Sequence, residues 1–281
     1  MGDHYVPRYY LNGFSKDGGK TIWVYDKKDR RKFSTQVKSI ANETSFYSPE
    51  VEQYLANSVE GPANNVLEKI RERAKITTVD KKILSAYMTC MMKRVPRGKQ
   101  RLKELAPSVA EKVEADVDKR LNVAASEQPE RLEFIEKRRT EIREIIDRFS
   151  VEPPKEIWLT SMPPEKSPRI LAALSRMTWR FFTFDKYPAF LTSDNPVFYF
   201  TSMGIGNPES EVTFPVSSHI ALWATWRLDL EEGYFETNTQ VVKELTRRTA
   251  SFATRYAFHS IDVEWVLPIL NKGRWQLNRI K

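Results

Sequence analysis

A highly charged stretch of about one hundred residues with helical periodicity, 50–150, separates two strand-rich stretches of this 281-residue chain, and the first stretch is only 49 residues long. That order constrains the fold more than any other feature. Forty-nine residues are too few to bury a core of their own. They are therefore expected to pair with strands that arrive after residue 178. Thr21 to Tyr25 is β-branched and aromatic, which predicts a strand, and Gly18-Gly19 before it is a turn signal. Phe46-Tyr47 reads as a second extended piece. Aromatic or β-branched runs recur at 179–184, 189–192, 197–201, 219–226 and 256–259, with proline and glycine between most of them. The expectation is one α+β unit over 1–281, with a mixed or mainly antiparallel sheet and a large helical insertion over 50–150. A proline-rich connection over 151–168 follows the insertion.

Inside the insertion, Val51, Tyr54, Leu55 and Val59 repeat at helical spacing. Gly61-Pro62 is expected to interrupt, and Val66, Leu67 and Ile70 resume the pattern. Ile83, Leu84, Tyr87, Met88 and Met91 form a stripe that ends near Val95-Pro96. Leu132, Ile135, Ile142, Ile145 and Ile146 form another. The more polar stretch 97–122 predicts a projecting helix. Further helices are expected over 169–177, 237–253 and 262–270, with Thr237 or Asn238 as the N-cap of the middle one.

Composition narrows the chemistry. Forty-five basic against 37 acidic residues give +8, which permits an anionic partner without requiring one. One cysteine, Cys90, excludes an internal disulfide framework and a cysteine-built zinc site. Three histidines leave little for a histidine-built metal site. No apolar run reaches the ~18 residues of a membrane helix, and the polar start lacks an apolar signal core. A reduced, cytoplasmic setting is therefore expected. The chain has no Walker loop, dinucleotide fingerprint, H-E-x-x-H or G-x-S-x-G motif.

Two segments stand out. One is His4-Tyr5-Val6-Pro7-Arg8-Tyr9-Tyr10-Leu11, running on to Phe14. The other is Phe190-Leu191-Thr192-Ser193-Asp194-Asn195-Pro196-Val197. Together they resemble the domain-of-unknown-function 4238 family, a mainly bacterial group marked by H-Y-V-P-x-x-Y-L-x-x-F and F-[IL]-T-S-D-N-P-[VL]. Weaker likenesses are Phe46-Tyr47-Ser48, Glu60, Arg94-Val95-Pro96, Phe214-Pro215-Val216-Ser217 and Asn238. Val95 stands where threonine is common, and Ser218 where proline is common. The family brings no settled activity, so the resemblance marks places rather than a reaction. It brings Asn238 in as a substrate-binding candidate.

The residues at those places suggest a chemistry. His4 precedes a stiff Tyr-Val-Pro and suits a general acid or base near neutral pH. Its structural alternative is a backbone anchor for the N-terminus. Thr192 to Pro196 leaves a strand and enters a turn, which Asp and Asn favour in any case. In the functional reading Asp194 faces a cleft as base or ligand of a divalent metal, and Asn195 orients a phosphate. Glu60 would complete an acid pair with Asp194. Arg8 and Arg94 suit bidentate phosphate contacts, although Arg94 would equally suit an ion pair with Glu60. Arg97, Lys99, Arg101 and Lys103 continue the densest basic run and are candidates for tracking a nucleic-acid backbone, or for a solvated helix face. Three functions are consistent with this set. The first is a phosphodiester hydrolase acting on RNA or DNA. The second is a non-catalytic module that binds nucleic acid or an acidic partner. The third is an enzyme acting on another anionic small molecule.

Overall fold

In the computed structural model, which describes residues 2–16, 20–273 and 275–280, the chain opens with strand β1 (Asp3–His4) and helix α1 (Arg8–Asn12). Strands β2 (Thr21–Asp26) and β3 (Arg31–Gln36) then form an antiparallel hairpin, and β4 (Asn42–Glu43) pairs with β1. The Gly18-Gly19 turn signal lies outside the described residues. Phe46 and Tyr47 are not a strand. Both rings are buried against each other at 5.0 Å, so packing rather than pairing accounts for their apolar character.

Helices α2 (Pro49–Tyr54), α3 (Gly61–Arg71) and α4 (Thr78–Arg94) follow. The expected interruption at Gly61-Pro62 is instead a π-helical segment, Leu55–Glu60, that joins α2 to α3 without a break. Proline lacks an N–H and its ring clashes with the carbonyl four residues back. Widening the preceding turn relieves that clash.

The chain divides into two compact units, residues 1–96 with 161–281, and residues 97–160. Helices α2 to α4 thus belong with the sheets, and the inserted unit is shorter than 50–150. That unit holds α5 (Pro96–Glu127), α6 (Leu132–Val151) and α7 (Lys155–Ser161). The proline-rich connection was expected to be irregular, yet it carries α7. Pro153-Pro154 precede the first turn, where a missing N–H removes no helix hydrogen bond. Asp118 on α5 accepts from Arg139 at 2.6 Å and Arg143 at 2.8 Å on α6.

The chain then forms α8 (Pro168–Arg176), β5 (Thr178–Thr183), β6 (Thr192–Ser193), β7 (Phe198–Tyr199), β8 (Glu211–Ser217), β9 (Ile220–Thr225) and β10 (Gly233–Glu236). Helix α9 (Thr239–Phe252), strand β11 (Tyr256–His259) and helix α10 (Val266–Leu270) complete it. Five strands order as β10-β5-β9-β8-β7, and four as β3-β2-β11-β6. Only β10 and β5 run parallel. The class is α+β, as expected. The short first stretch finds its partner late in the chain: β2 pairs with β11, placing Trp23 opposite His259.

Helix α9 contributes to both cores. Val242 and Leu245 pack with Phe182 and Trp223, whose rings stack at 5.5 Å. One turn further, Ala250 and Ala253 pack with Tyr25, Leu191 and Val266. Arg248 on the same helix is fully buried, and donates to Glu211 at 2.6 Å and to the Asn278 carbonyl at 2.6 Å. The Arg247-Arg248 pair in the sequence is therefore half core.

The two conspicuous segments meet at Tyr10. Its hydroxyl lies 2.6 Å from the Thr192 hydroxyl and donates to the Pro215 carbonyl at 2.8 Å, and its ring stacks on Phe214. Gly13 closes this knot. A Cβ there would stand 2.7 Å from the Val216 carbonyl and 2.7 Å from the Arg71 guanidinium. That guanidinium is held by the Tyr9, Tyr10 and Val216 carbonyls, so it has little room to retreat. Gly13→Ala is expected to cost about 2 kcal/mol through overpacking. Thermal denaturation should show a Tm lower by roughly 4–8 °C.

Candidate active site

Four of the predicted residues come together in one cleft of about 300 Å³, namely His4, Arg8, Glu60 and Arg94. Strand β1 supplies His4, and Arg8 is the first residue of α1, just after Pro7. The π-helical segment ends on Glu60, and α4 ends on Arg94, where a cation complements the helix dipole. Arg94 is buried. It donates to Glu60 at 2.6 Å and to the His4 carbonyl at 2.6 Å, and lies over the Tyr47 ring. The ion pair weighed for Arg94 and Glu60 is thus present.

Two further carboxyls line the cleft, and the sequence reading missed both: Asp3 and Glu52. Tyr47 donates its N–H to Asp3 at 3.0 Å. Ser48 caps α2, which carries Glu52. A hydrogen bond between the two carboxyls, aided by burial, raises Glu52 to about 7. A signal for Glu52 existed in the spacing, since Glu52, Ala56 and Glu60 recur every four residues and line the same cleft.

His4 is half-buried. Burial lowers its pKa below the usual 6.5, and the nearby Arg8 and Arg94 charges act in the same direction, against a hydrogen bond to Lys38. Its Nε2 lies 3.2 Å from the Lys38 carbonyl. A carbonyl only accepts, so Nε2 carries the proton in the neutral ring and Nδ1 keeps its lone pair. Arg8 is exposed at the rim and has no ion-pair partner among the described residues.

Other expectations are corrected. Asp194 does not line this cleft. It is fully buried, and its carboxylate accepts the N–H groups of Thr254 at 2.8 Å, Arg255 at 2.7 Å and Tyr256 at 3.0 Å. Burial pushes it up to about 6, while those three donors pull it down. It is a clip between β6 and the turn entering β11. Glu60 consequently forms no acid pair with it. Asn195 spends its amide on the Phe252 carbonyl at the end of α9, at 3.0 Å. Asn238 is the N-cap of α9, where its side chain accepts from Gln240 and Val241. Asn195 and Asn238 thus engage backbone groups at the two ends of α9, as the turn and cap chemistry of Asn favours. Among the described residues, no group of three or more His, Cys, Asp or Glu is placed to hold a metal ion.

The basic run is also engaged within its own unit. Arg97 pairs with Glu104 and Lys103 with Glu152, while Lys99 lies over the Trp158 ring. Arg101 has a partner as well. Acidic residues one or two turns away, or on the next helix, neutralise what reads in sequence as a bare stripe.

Fold and cleft together define an α+β protein with an interrupted first unit and, on its N-terminal segment, a cleft lined by His4, two arginines and three carboxyls. The chain matches the family described as "Protein of unknown function (DUF4238)" over residues 3–263, and it belongs to that family. No curated protein and no solved structure matches it. Among the described residues, no helix is long and apolar enough to cross a membrane.

Proposed function

We propose that the protein is an acid–base hydrolase of phosphodiesters, with nucleic acid as its substrate class, and that the His4 cleft is its active site. The Asp3–Glu52 carboxyl pair carries this reading, because it keeps a proton near neutral pH in the same open cleft as a neutral imidazole. Phosphodiester hydrolysis needs a base for the attacking water, an acid for the leaving alkoxide and a cation for the phosphoryl oxygens. His4 Nδ1 takes the proton from water as the new O–P bond forms. Glu52 gives its proton to the leaving oxygen as the old P–O bond breaks. Solvent then returns the proton from His4 to the carboxyl pair. Arg8, exposed at the rim and without an ion-pair partner among the described residues, binds the phosphate oxygens. Arg94 is committed to Glu60 and the His4 backbone, so it positions the site rather than holding substrate.

The test is cleavage of single-stranded RNA, single-stranded DNA and duplex DNA. His4→Ala and Glu52→Gln are each expected to lower the rate by about 10²–10⁴, with Tm within a few degrees of the parent. The pH–rate profile is expected to be bell-shaped. It rises as His4 loses its proton below 6.5 and falls as the carboxyl pair loses its own near 7. Absence of cleavage on all three substrates, or a rate indifferent to both variants, rejects the assignment.

A further inference from the structure

A second cleft, of about 580 Å³, lies in the same unit and is lined by α9, by α10 and by the segments beside α10. Its lining joins three rings, Tyr187, Trp265 and Trp275, to three cations, Lys243, Arg247 and Lys272. Among the described residues, no carboxylate lines it. Trp265 is 38% exposed and Tyr187 48% exposed, so both rings present area to solvent within one cleft. Each is backed by a second ring. His259 meets Trp265 edge-on at 5.9 Å, and Phe184 meets Tyr187 at 5.0 Å. Lys272 stands over Trp275 at 4.8 Å. Arg247 pairs with Glu244 Oε2 at 3.7 Å, while the other oxygen of that carboxylate accepts from Arg248 and the Asn278 N–H.

We infer that this cleft binds a nucleobase-bearing phosphate, supplied as a free nucleotide or as part of a single strand. Exposed rings alone would suit any flat or cationic ligand, but three lining cations exclude a cationic one. Cations alone would suit any polyanion, but then indole rings would not be left open to water. A flat ring that carries a negative charge satisfies both halves of the lining. The volume is within the range that encloses a small ligand. The inference does not rest on cleavage at the His4 cleft. A chain that binds and does not cut keeps this one and loses that one.

Binding is read on the full chain with two probes. One is fluorescein-labelled dodecathymidylate, followed by anisotropy. The other is adenosine monophosphate, followed by indole fluorescence. Inorganic polyphosphate serves as a competitor with charge and no rings. Trp265→Ala and Trp275→Ala are each expected to weaken binding of the probe about tenfold. Trp265→Phe should recover most of that loss, which separates stacking from misfolding. For the oligonucleotide, Lys243→Ala and Arg247→Ala should each flatten the slope of log K against log salt by about 0.7. Comparable affinity for both probes assigns the site to a nucleotide, and affinity for the oligonucleotide alone assigns it to a strand. The inference is overturned if neither probe binds at millimolar concentration. It is equally overturned if polyphosphate displaces the oligonucleotide fully while the tryptophan variants bind unchanged, which would leave only a basic patch.

Discussion

Asp194→Ala is expected to lower Tm by roughly 10 °C or more, or to prevent folding, whether or not the protein cleaves anything. The carboxylate accepts from three consecutive backbone N–H groups, those of Thr254, Arg255 and Tyr256. Asp194 itself is fully buried, so water cannot easily replace it. Each buried donor left without a partner costs about 1–3 kcal/mol. Three such donors give about 3–9 kcal/mol, at roughly 2–4 °C per kcal/mol for a unit of this size. Asp194→Asn is expected to lose less. Its amide oxygen can face the N–H groups of Arg255 and Tyr256, but its NH₂ is then set against the Thr254 N–H, at a cost of about 1–3 kcal/mol. Melting curves for both variants beside His4→Ala provide the measurement. An Asp194→Asn protein that melts within 2 °C of the parent, as estimated on the same scale, would contradict the clip and return Asp194 to the list of reacting groups.

That contrast shows what could be read from the sequence. The order of strand-rich, helical and strand-rich stretches required a late partner for β2, and β11 is that partner. The helical stripes were legible because burial of one face leaves a period behind. Strand β8 was not legible: nearly all of its residues are buried and it contains Pro215, so it shows neither alternation nor ordinary strand composition. The cleft was half legible. His4, Arg8, Glu60 and Arg94 were each singled out, and the structure brings them together. Asp3 and Glu52 were not: Glu52 left only its four-residue spacing to Ala56 and Glu60, and its pairing with Asp3 across 49 positions leaves no local pattern. Asp194 and Asn195 misled for a physical reason. The same short polar side chains that orient a phosphate also satisfy turn and helix-end backbone groups, and a sequence does not separate the two uses. The resemblance carried by Tyr10 and Thr192 reports a buried hydrogen bond between the two segments, and so a demand of the fold.

Arg94→Ala is the second large loss expected, and it should remove stability and site geometry together. One guanidinium joins Glu60 to the His4 carbonyl and lies over Tyr47, while Tyr47 donates to the Arg94 carbonyl at 2.7 Å. Removing one partner of a buried pair typically costs about 3–5 kcal/mol, because the other charge is left without compensation. Glu60 is that charge here. Arg94→Lys should restore only part of the loss, since an ammonium lacks the planar fork that reaches both acceptors at once. A double-mutant cycle with Glu60→Ala separates the contributions. Coupling of about 1–3 kcal/mol is expected for groups in direct contact, with the cost of Arg94→Ala falling once Glu60 is gone. What remains in the double variant reflects the His4 carbonyl and the Tyr47 ring. If Arg94 only braces the fold, Arg94→Lys should lose activity no faster than it loses folded protein. If it positions the β1 segment for reaction, turnover per folded molecule should fall in Arg94→Lys while binding of a cleavable strand changes little. Additive effects of Arg94→Ala and Glu60→Ala would show instead that the ion pair does not organise the cleft.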